Sequence, residues 1–151
     1  MADPVITGRI RITREVQISD STARSLTFDT VVDSKGGVAD LDNRPTSLVA
    51  PKSGLYLVLG EIEWIHLHGP GRVGGIIEVH RPDGSELRPA VSAFTPIPED
   101  GPPFVSQSLC AVERMSAGQQ VALSVYQESG HTQRLPGTDA GTWISLTYLG
   151  D

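Results

Sequence analysis

The stretch Gly54-Leu-Tyr-Leu-Val-Leu-Gly-Glu-Ile-Glu-Trp64 decides the fold. Apolar residues in its first half occupy both faces of an extended strand, on which successive side chains point to opposite sides. One face carries Leu55, Leu57 and Leu59, and the other carries Tyr56 and Val58. Beyond Gly60 the first face becomes polar with Glu61 and Glu63, whereas Ile62 and Trp64 continue the second. The pattern predicts a long strand whose two faces are both covered.

A strand that is apolar on two faces needs two covers. In a two-sheet sandwich one face meets the core, and an interface between subunits is one way to cover the other. A β-bulge at Gly60 is the alternative, because an extra residue would shift the alternation and leave the remainder to a loop. The sequence leaves both explanations open, and we favour the interface.

The remaining apolar residues also alternate with polar ones, which predicts an all-β protein. Turn residues separate these segments at Ser34–Gly37, Pro51–Gly54 and Pro82–Gly84. Longer loops are predicted over Thr95–Pro103, which holds four prolines, and over Ser129–Gly141. Eight to ten strands at this spacing indicate a sandwich or jelly roll. The alternating pairs and triplets are Ile10/Ile12, Leu26/Phe28, Val73/Ile77/Val79, Val121/Leu123/Val125 and Ile144/Leu146/Tyr148.

Composition excludes several classes of function. The chain has 151 residues, a formal net charge of −6 and one cysteine, Cys110. This length predicts one domain, and the acidic balance argues against binding a nucleic-acid backbone. A single cysteine excludes an internal disulfide, and no apolar run has the length of a signal peptide or membrane span. We therefore expect a protein kept in a cytosol or exported without a cleaved leader.

Isolated motifs point to weak sites. Gly69–Gly74 has the glycine spacing of a dinucleotide-binding loop, but a strand pattern follows where a helix is required, so we predict a hairpin loop. His66 and His68 are half of a Zn²⁺ or Ni²⁺ site that His80 or His131 would have to complete. Solvent-facing histidines without a metal are the simpler explanation. Asp40 and Asp42 are too few ligands for the twelve-residue pattern of a Ca²⁺-binding loop, so they are interpreted as part of a solvated turn.

Catalytic patterns are equally weak. Ser53 lies in a turn without the motif of a nucleophile elbow, and Cys110 is interpreted as a small buried hydrophobic residue. Glu61 and Glu63 have the residue type of a glycosidase pair. On one strand face they are more simply a solvated edge or ion-pair partners across an interface. We predict a non-enzyme without metal or cofactor.

Several segments form a series of motifs across residues 9–149: Leu26–Thr30, Leu48–Gly60, Ile62–Trp64, Met115–Gln127 and Trp143–Leu149. They contain, in this order, a Phe-Asp strand, a Pro-x-x-Gly-x-Tyr strand, an Ala-Gly turn before a Val-x-Leu-x-Val strand, and a closing core strand. This series resembles the bacterial and phage branch of the C1q/TNF-like jelly-roll family, which shows all four features in the same order.

The resemblance implies a ten-stranded jelly roll, over residues 9–151, that assembles as a homotrimer without enzymatic activity. Residues 1–8 would form an N-terminal arm. The chain lacks the collagen-like stalk of animal members, and no aligned acidic cluster transfers the calcium site that some members have. Residues expected in the trimer interface or the core are Leu55, Tyr56, Leu57, Val58, Leu59, Trp64, Tyr126 and Tyr148.

Two functions follow as hypotheses. The first is a phage virion accessory protein, assembled in the host cytoplasm, that decorates a capsid or serves adhesion at a tail through contacts with capsid or tail proteins. The second is a lectin-like protein that binds a cell-surface glycan through loops at one end of the jelly roll. The side chains proposed for sugar contact are Phe94, Phe104, His131 and Arg134.

Overall fold

A computed structural model describes residues 4–101, 104–138 and 141–151 of the chain. These residues form two stacked antiparallel sheets and no helix. The strands are β1 Thr7–Arg11, β2 Val16–Ile18, β3 Arg24–Ser25, β4 Thr30–Lys35, β5 Ser47–Val49, β6 Gly54–Ile65, β7 Gly71–His80, β8 Glu86–Ile97, β9 Phe104–Met115, β10 Gln120–Glu128, β11 Gln133–Leu135 and β12 Trp143–Gly150.

The two sheets are built around the strands with the clearest alternation. Sheet A has the order β9, β6, β12, β1 and β4, and the short strands β11 and β2 continue it beside the end of β6. Sheet B has the order β8, β7 and β10, with β3 and β5 both paired to β10. No helix in the described ranges is long and apolar enough to cross a membrane.

The core lies between the sheets and takes every second residue of β6. Tyr56, Val58, Ile62 and Trp64 point inward and are fully buried. Gly60 also points inward and lies against Ile77 of sheet B. The β6–β9 register is unbroken from Gly54 to Ile65. The alternation therefore passes through Gly60 without a shift, and the alternative of a β-bulge there is wrong.

The strand count and the loop boundaries differ from the predictions. The described residues form twelve strands instead of ten, because pieces of two or three residues, such as β3 and β11, are too short to show a period. Strand β8 runs through Thr95 and Pro96, where the prolines predict a loop. Among the described residues it pairs only with β7, and an edge strand tolerates prolines because one side of its backbone needs no donor. Pro102 and Pro103 of that predicted loop lie outside the described residues.

Two further segments differ from the predictions. The segment Ser129–Gly141, which is predicted as a loop, contains strand β11. At the N-terminus, β1 begins at Thr7, so Thr7 and Gly8 of the predicted arm pair with Thr147 and Leu146.

Candidate functional site

The outer face of sheet A carries an apolar area, which we call the apolar face and define by Leu55, Leu57, Leu59, Cys110 and Val112. The three leucines alternate with the core residues of β6 and are half-buried. Cys110 pairs with Leu59 and Val112 with Leu57, so both lie beside the leucines on the same side of the sheet. Val112 is 58% exposed. A single chain thus leaves a compact hydrophobic area facing outward, as the two-sided pattern of β6 predicts.

Polar and aromatic side chains surround the apolar face. Across β12 and β1, Leu57 is followed by Thr147 and Thr7, whose hydroxyls are 2.9 Å apart. The Arg9 guanidinium stacks over the Trp143 ring at 3.9 Å from its centroid. A shallow cleft of about 300 Å³ opens between Leu59, Arg9 and Val32. An apolar centre with a polar rim is the usual composition of a protein interface.

Carboxylates mark the end of this face beyond Leu59. Glu61 and Glu63 alternate outward on β6, and Glu61 accepts a hydrogen bond of 2.7 Å from the Ser108 hydroxyl. Arg114, at the opposite end, pairs with Leu55. The charged residues therefore flank the leucines, and both glutamates lie on one strand face as predicted.

The other residues predicted for the interface or core divide among three places. Tyr56, Val58 and Trp64 belong to the core. Tyr148 contacts Tyr56 edge-to-face with ring centroids 5.4 Å apart. Burial raises the pKa of Tyr56, whose hydroxyl donates to the Lys52 carbonyl at 2.7 Å. Tyr126 lies on the outer face of sheet B, away from the apolar face.

The four residues predicted for sugar contact do not form one site. Phe94, Phe104 and Arg134 lie on strands β8, β9 and β11, not on loops, because these strands extend farther than the turn residues indicate. Phe104 and Arg134 flank Ile65 in sheet A, whereas Phe94 belongs to sheet B. His131 follows β10 and contacts His68, with ring centroids 5.6 Å apart.

Phe94 is instead part of a cluster that the sequence did not reveal. We call it the Phe94 cluster and define it by Arg72, Phe94, Tyr126 and Glu128. Phe94 and Tyr126 both pair with Gly74, one from each side, and their rings meet edge-to-face at 6.5 Å. Arg72 stacks on both rings and pairs with Glu128 at 3.4 Å. In the sequence, nothing links Gly74 to Phe94 and Tyr126. The three residues become neighbours only when the register of the three strands is known.

The histidines do not gather into a metal site. His66 follows the end of β6 with a φ of 50°, so His66 and His68 do not share a strand face as predicted. His80 lies on β7, where its Nε2 is 3.8 Å from a carboxylate oxygen of Glu78. No group of three or more His, Cys, Asp or Glu residues with metal-binding geometry occurs among the described residues.

An acidic residue is buried on sheet B. Glu78 accepts a short hydrogen bond from the Ser124 hydroxyl, and only 9% of the residue is exposed. The nearby Glu78 carboxylate raises the pKa of Glu86, first through charge repulsion and then through a hydrogen bond between the two side chains.

Candidate catalytic and calcium residues have structural partners. The Ser53 hydroxyl accepts a hydrogen bond of 3.1 Å from the Ala117 amide. Asp40 accepts one of 2.8 Å from the Asn43 side chain, which lowers the pKa of Asp40. Cys110 is exposed, so the prediction of a buried cysteine is wrong. Its side chain points outward because Cys110 pairs with Leu59, whose side chain lies on the outer face of sheet A.

The two stacked antiparallel sheets and their strand order define an all-β jelly-roll sandwich. A crystal structure of murine APRIL at pH 5.0 matches with a TM-score of 0.72 and 11% identity, over 96% of this chain and 99% of that chain. The structure of Eiger TNF from S. frugiperda matches with a TM-score of 0.69 and 15% identity, over 99% of this chain and 95% of that one.

The second of these structures is described as a TNF protein. At such low identity the likeness establishes the fold, and it confirms the predicted C1q/TNF-like jelly roll. No family model and no curated protein matches the sequence. Membership of a bacterial or phage branch stays a prediction.

Proposed function

We propose that this protein is a non-enzymatic binding module that works as a homotrimer, with the apolar face buried between copies. The observation that carries the proposal is the row of Leu55, Leu57 and Leu59 on the outer face of sheet A, beside Val112. The TNF-like fold supports self-association, and the number three comes from the resemblance in the sequence.

The energetics favour covering this face. Complete burial of a leucine or valine contributes about 1.5 to 3 kcal/mol, so finishing the burial of the partly buried leucines contributes at most about 0.5 to 1 kcal/mol each, and the more exposed Val112 contributes more. Repetition by symmetry multiplies this contribution, because each copy presents the same surface. The rim supplies the polar contacts, with Arg9 and Arg114 opposite in charge to Glu61 and Glu63.

The setting that we propose is a virion assembled in the host cytoplasm. The support comes from the sequence resemblance, and the residues that precede β1 would contact capsid or tail proteins. Peptide mass spectrometry of purified virions, or the position of the gene among capsid and tail genes, tests this part of the proposal.

The oligomeric state is tested with a charge placed in the apolar face. Light scattering after size-exclusion chromatography should give three times the mass of the chain for the wild type. Leu57→Lys should give the monomer, because it buries an unpaired charge in the interface. Ser92→Lys is the matched control, since Ser92 is exposed on the outer face of sheet B.

Alkylation of Cys110 gives a second readout of the same face. Cys110 is exposed in the single chain and pairs with Leu59, so trimer formation should cover it. We expect slow reaction with iodoacetamide in the wild type and in Ser92→Lys, and fast reaction in Leu57→Lys. A wild-type monomer at micromolar concentration with freely reactive Cys110 contradicts the proposal.

A further inference from the structure

We infer that the Phe94 cluster on the outer face of sheet B is a binding site for neutral saccharides. The inference rests on the proposed function, because it names the ligand class of the binding module. The cluster and the apolar face belong to different sheets, so self-association leaves the cluster free to bind.

The ring of Phe94 is held as a platform. It lies directly above Gly74, where a Cβ atom would come within 2.2 Å of ring atom Cδ1. The backbone of β7 thus supports the ring from below, and the edge of Tyr126 contacts it from the side. Phe94 nevertheless stays 45% exposed. An exposed, immobilised aromatic surface suits the C–H groups of a sugar ring, which prefer the electron-rich face of an aromatic.

Hydrogen-bonding groups lie beside this platform. Arg72 and Glu128 are about half exposed, and Glu128 also accepts a hydrogen bond of 3.2 Å from the Tyr126 hydroxyl. A guanidinium offers several donors and a carboxylate offers several acceptor positions. Side by side, the two groups can hold neighbouring hydroxyls of one sugar.

Two clefts adjoin the cluster. One, of about 420 Å³, is lined by Gly71, Arg72, Pro96 and Glu128. The other, of about 490 Å³, shares Gly71 and Glu128 and includes Asp20. The Asp20 carboxylate is fixed by hydrogen bonds from the amides of Ser129 and Gly130, at 2.8 and 2.9 Å. The polar groups therefore continue beyond the first cleft and have room for a second sugar unit.

The charges select a neutral ligand. Arg72 stacks on both rings and leaves part of Phe94 exposed, so a cationic ligand at that surface would lie next to the guanidinium charge and is disfavoured. Glu128 neutralises Arg72, and Asp20 adds a negative charge, which disfavours phosphates and acidic sugars. A neutral polyol with an apolar ring face is the chemistry that remains.

The test uses methyl glycosides of glucose, galactose, mannose and N-acetylglucosamine as probes. NMR titration of the complete chain follows the ring signals of Phe94 and Tyr126 and the Nε–H signal of Arg72. We expect at least one neutral glycoside to shift these signals, and sialic acid and glucosamine to leave them unchanged. Phe94→Ala should weaken binding about tenfold, which corresponds to the loss of one aromatic contact.

Two further variants complete the test. Glu128→Gln should weaken binding while the ring signals keep their positions in the free protein. Phe104→Ala is the matched control and should bind as the wild type does, because Phe104 is equally aromatic and 60% exposed but lies on sheet A.

The inference is overturned if no neutral glycoside shifts the cluster signals, if sialic acid or glucosamine binds as well, or if Phe94→Ala and Glu128→Gln bind normally. These outcomes are independent of the oligomeric state measured by light scattering. A trimer that binds no glycoside refutes the saccharide site and leaves the trimer intact. A monomer that binds one does the reverse.

Discussion

Gln107 links the two sheets through the core, and substituting it measures how much the fold depends on one buried amide. The residue lies on β9 and is 4% exposed. Its Oε1 accepts a hydrogen bond of 2.9 Å from the Trp64 indole. Its Nε2 donates to the Val73 carbonyl at 3.1 Å and to the Thr95 hydroxyl at 3.0 Å. One side chain thus joins strands of sheet A to strands of sheet B.

The expected loss of stability follows from the partners left behind. Gln107→Leu keeps the size of the side chain but leaves the Trp64 N–H without an acceptor. An unsatisfied buried polar group costs about 1 to 3 kcal/mol, and a second lost partner raises the total to about 2 to 4 kcal/mol. In a chain of this length, that loss lowers the Tm by about 5 to 15 °C. Trp64→Phe should lose a similar amount, since it leaves Oε1 without a donor and removes part of the indole.

The double variant Trp64→Phe/Gln107→Leu separates the hydrogen bond from packing. With both partners removed no buried group is orphaned at this contact, so the double loss should be smaller than the sum of the single losses by about 1 to 2 kcal/mol. Urea unfolding followed by circular dichroism, at one fixed protomer concentration, measures all four proteins. Losses that add within about 0.5 kcal/mol would refute the claim that the hydrogen bond between Trp64 and Gln107 contributes to stability.

Three further predictions concern backbone strain and pH. Gly54→Ala should destabilise the fold by about 1 to 3 kcal/mol in urea unfolding, because φ is +154° and a Cβ would lie 2.6 Å from the Gly150 carbonyl oxygen. Gly37→Ala, with a φ of +82° and nothing within 4 Å, should lose less. Hydrogen bonds from the Ser129 and Gly130 amides lower the pKa of Asp20, so its contribution is complete above the ordinary value of 3.8 and is lost as the pH falls through the lower folded pKa. Asp20→Asn should therefore be less stable than the wild type near neutral pH, with a difference that disappears in acid. The Glu78 carboxylate raises the pKa of Glu86, which gives the opposite sign: stability is lost as the pH rises from the ordinary value of 4.5 through the folded pKa. Glu86→Gln should accordingly be more stable at neutral pH and equal to the wild type in acid, and a constant difference across the pH range would contradict this.

The fold was predictable because the long strands obey a period of two. In β6 the core face is the one that stays apolar to the end of the strand, since Ile62 and Trp64 continue it. The other face ends in Glu61 and Glu63, and the structure turns that face outward. An unbroken alternation of this length specifies both the strand and its orientation, because a shift of one residue would bury the glutamates.

Segments without such a period were not predictable. Strand β8 contains Pro89 and Pro96, which favour a loop when the partner strand is unknown. As an edge strand it needs hydrogen bonds on one side only, and this position comes from the topology. The short strands β3 and β11 are held by longer neighbours, so local sequence contains too little information to place them.

The two proposed surfaces differ in predictability for a physical reason. Most of the apolar face comes from a single strand, so its leucines can be recognised in the sequence as alternate residues of β6. The Phe94 cluster joins three strands through Gly74, and its members become neighbours only once the register of β7 with β8 and β10 is known. Because the apolar face and the Phe94 cluster lie on different sheets, each can have its own function. Copies that join through sheet A would present several Phe94 clusters on one particle, and linked weak sites bind a repetitive surface far more tightly than one site does. The proposed saccharide site and the proposed trimer interface would therefore support each other: the first would supply recognition, and the second would supply the multiplicity that makes weak recognition effective.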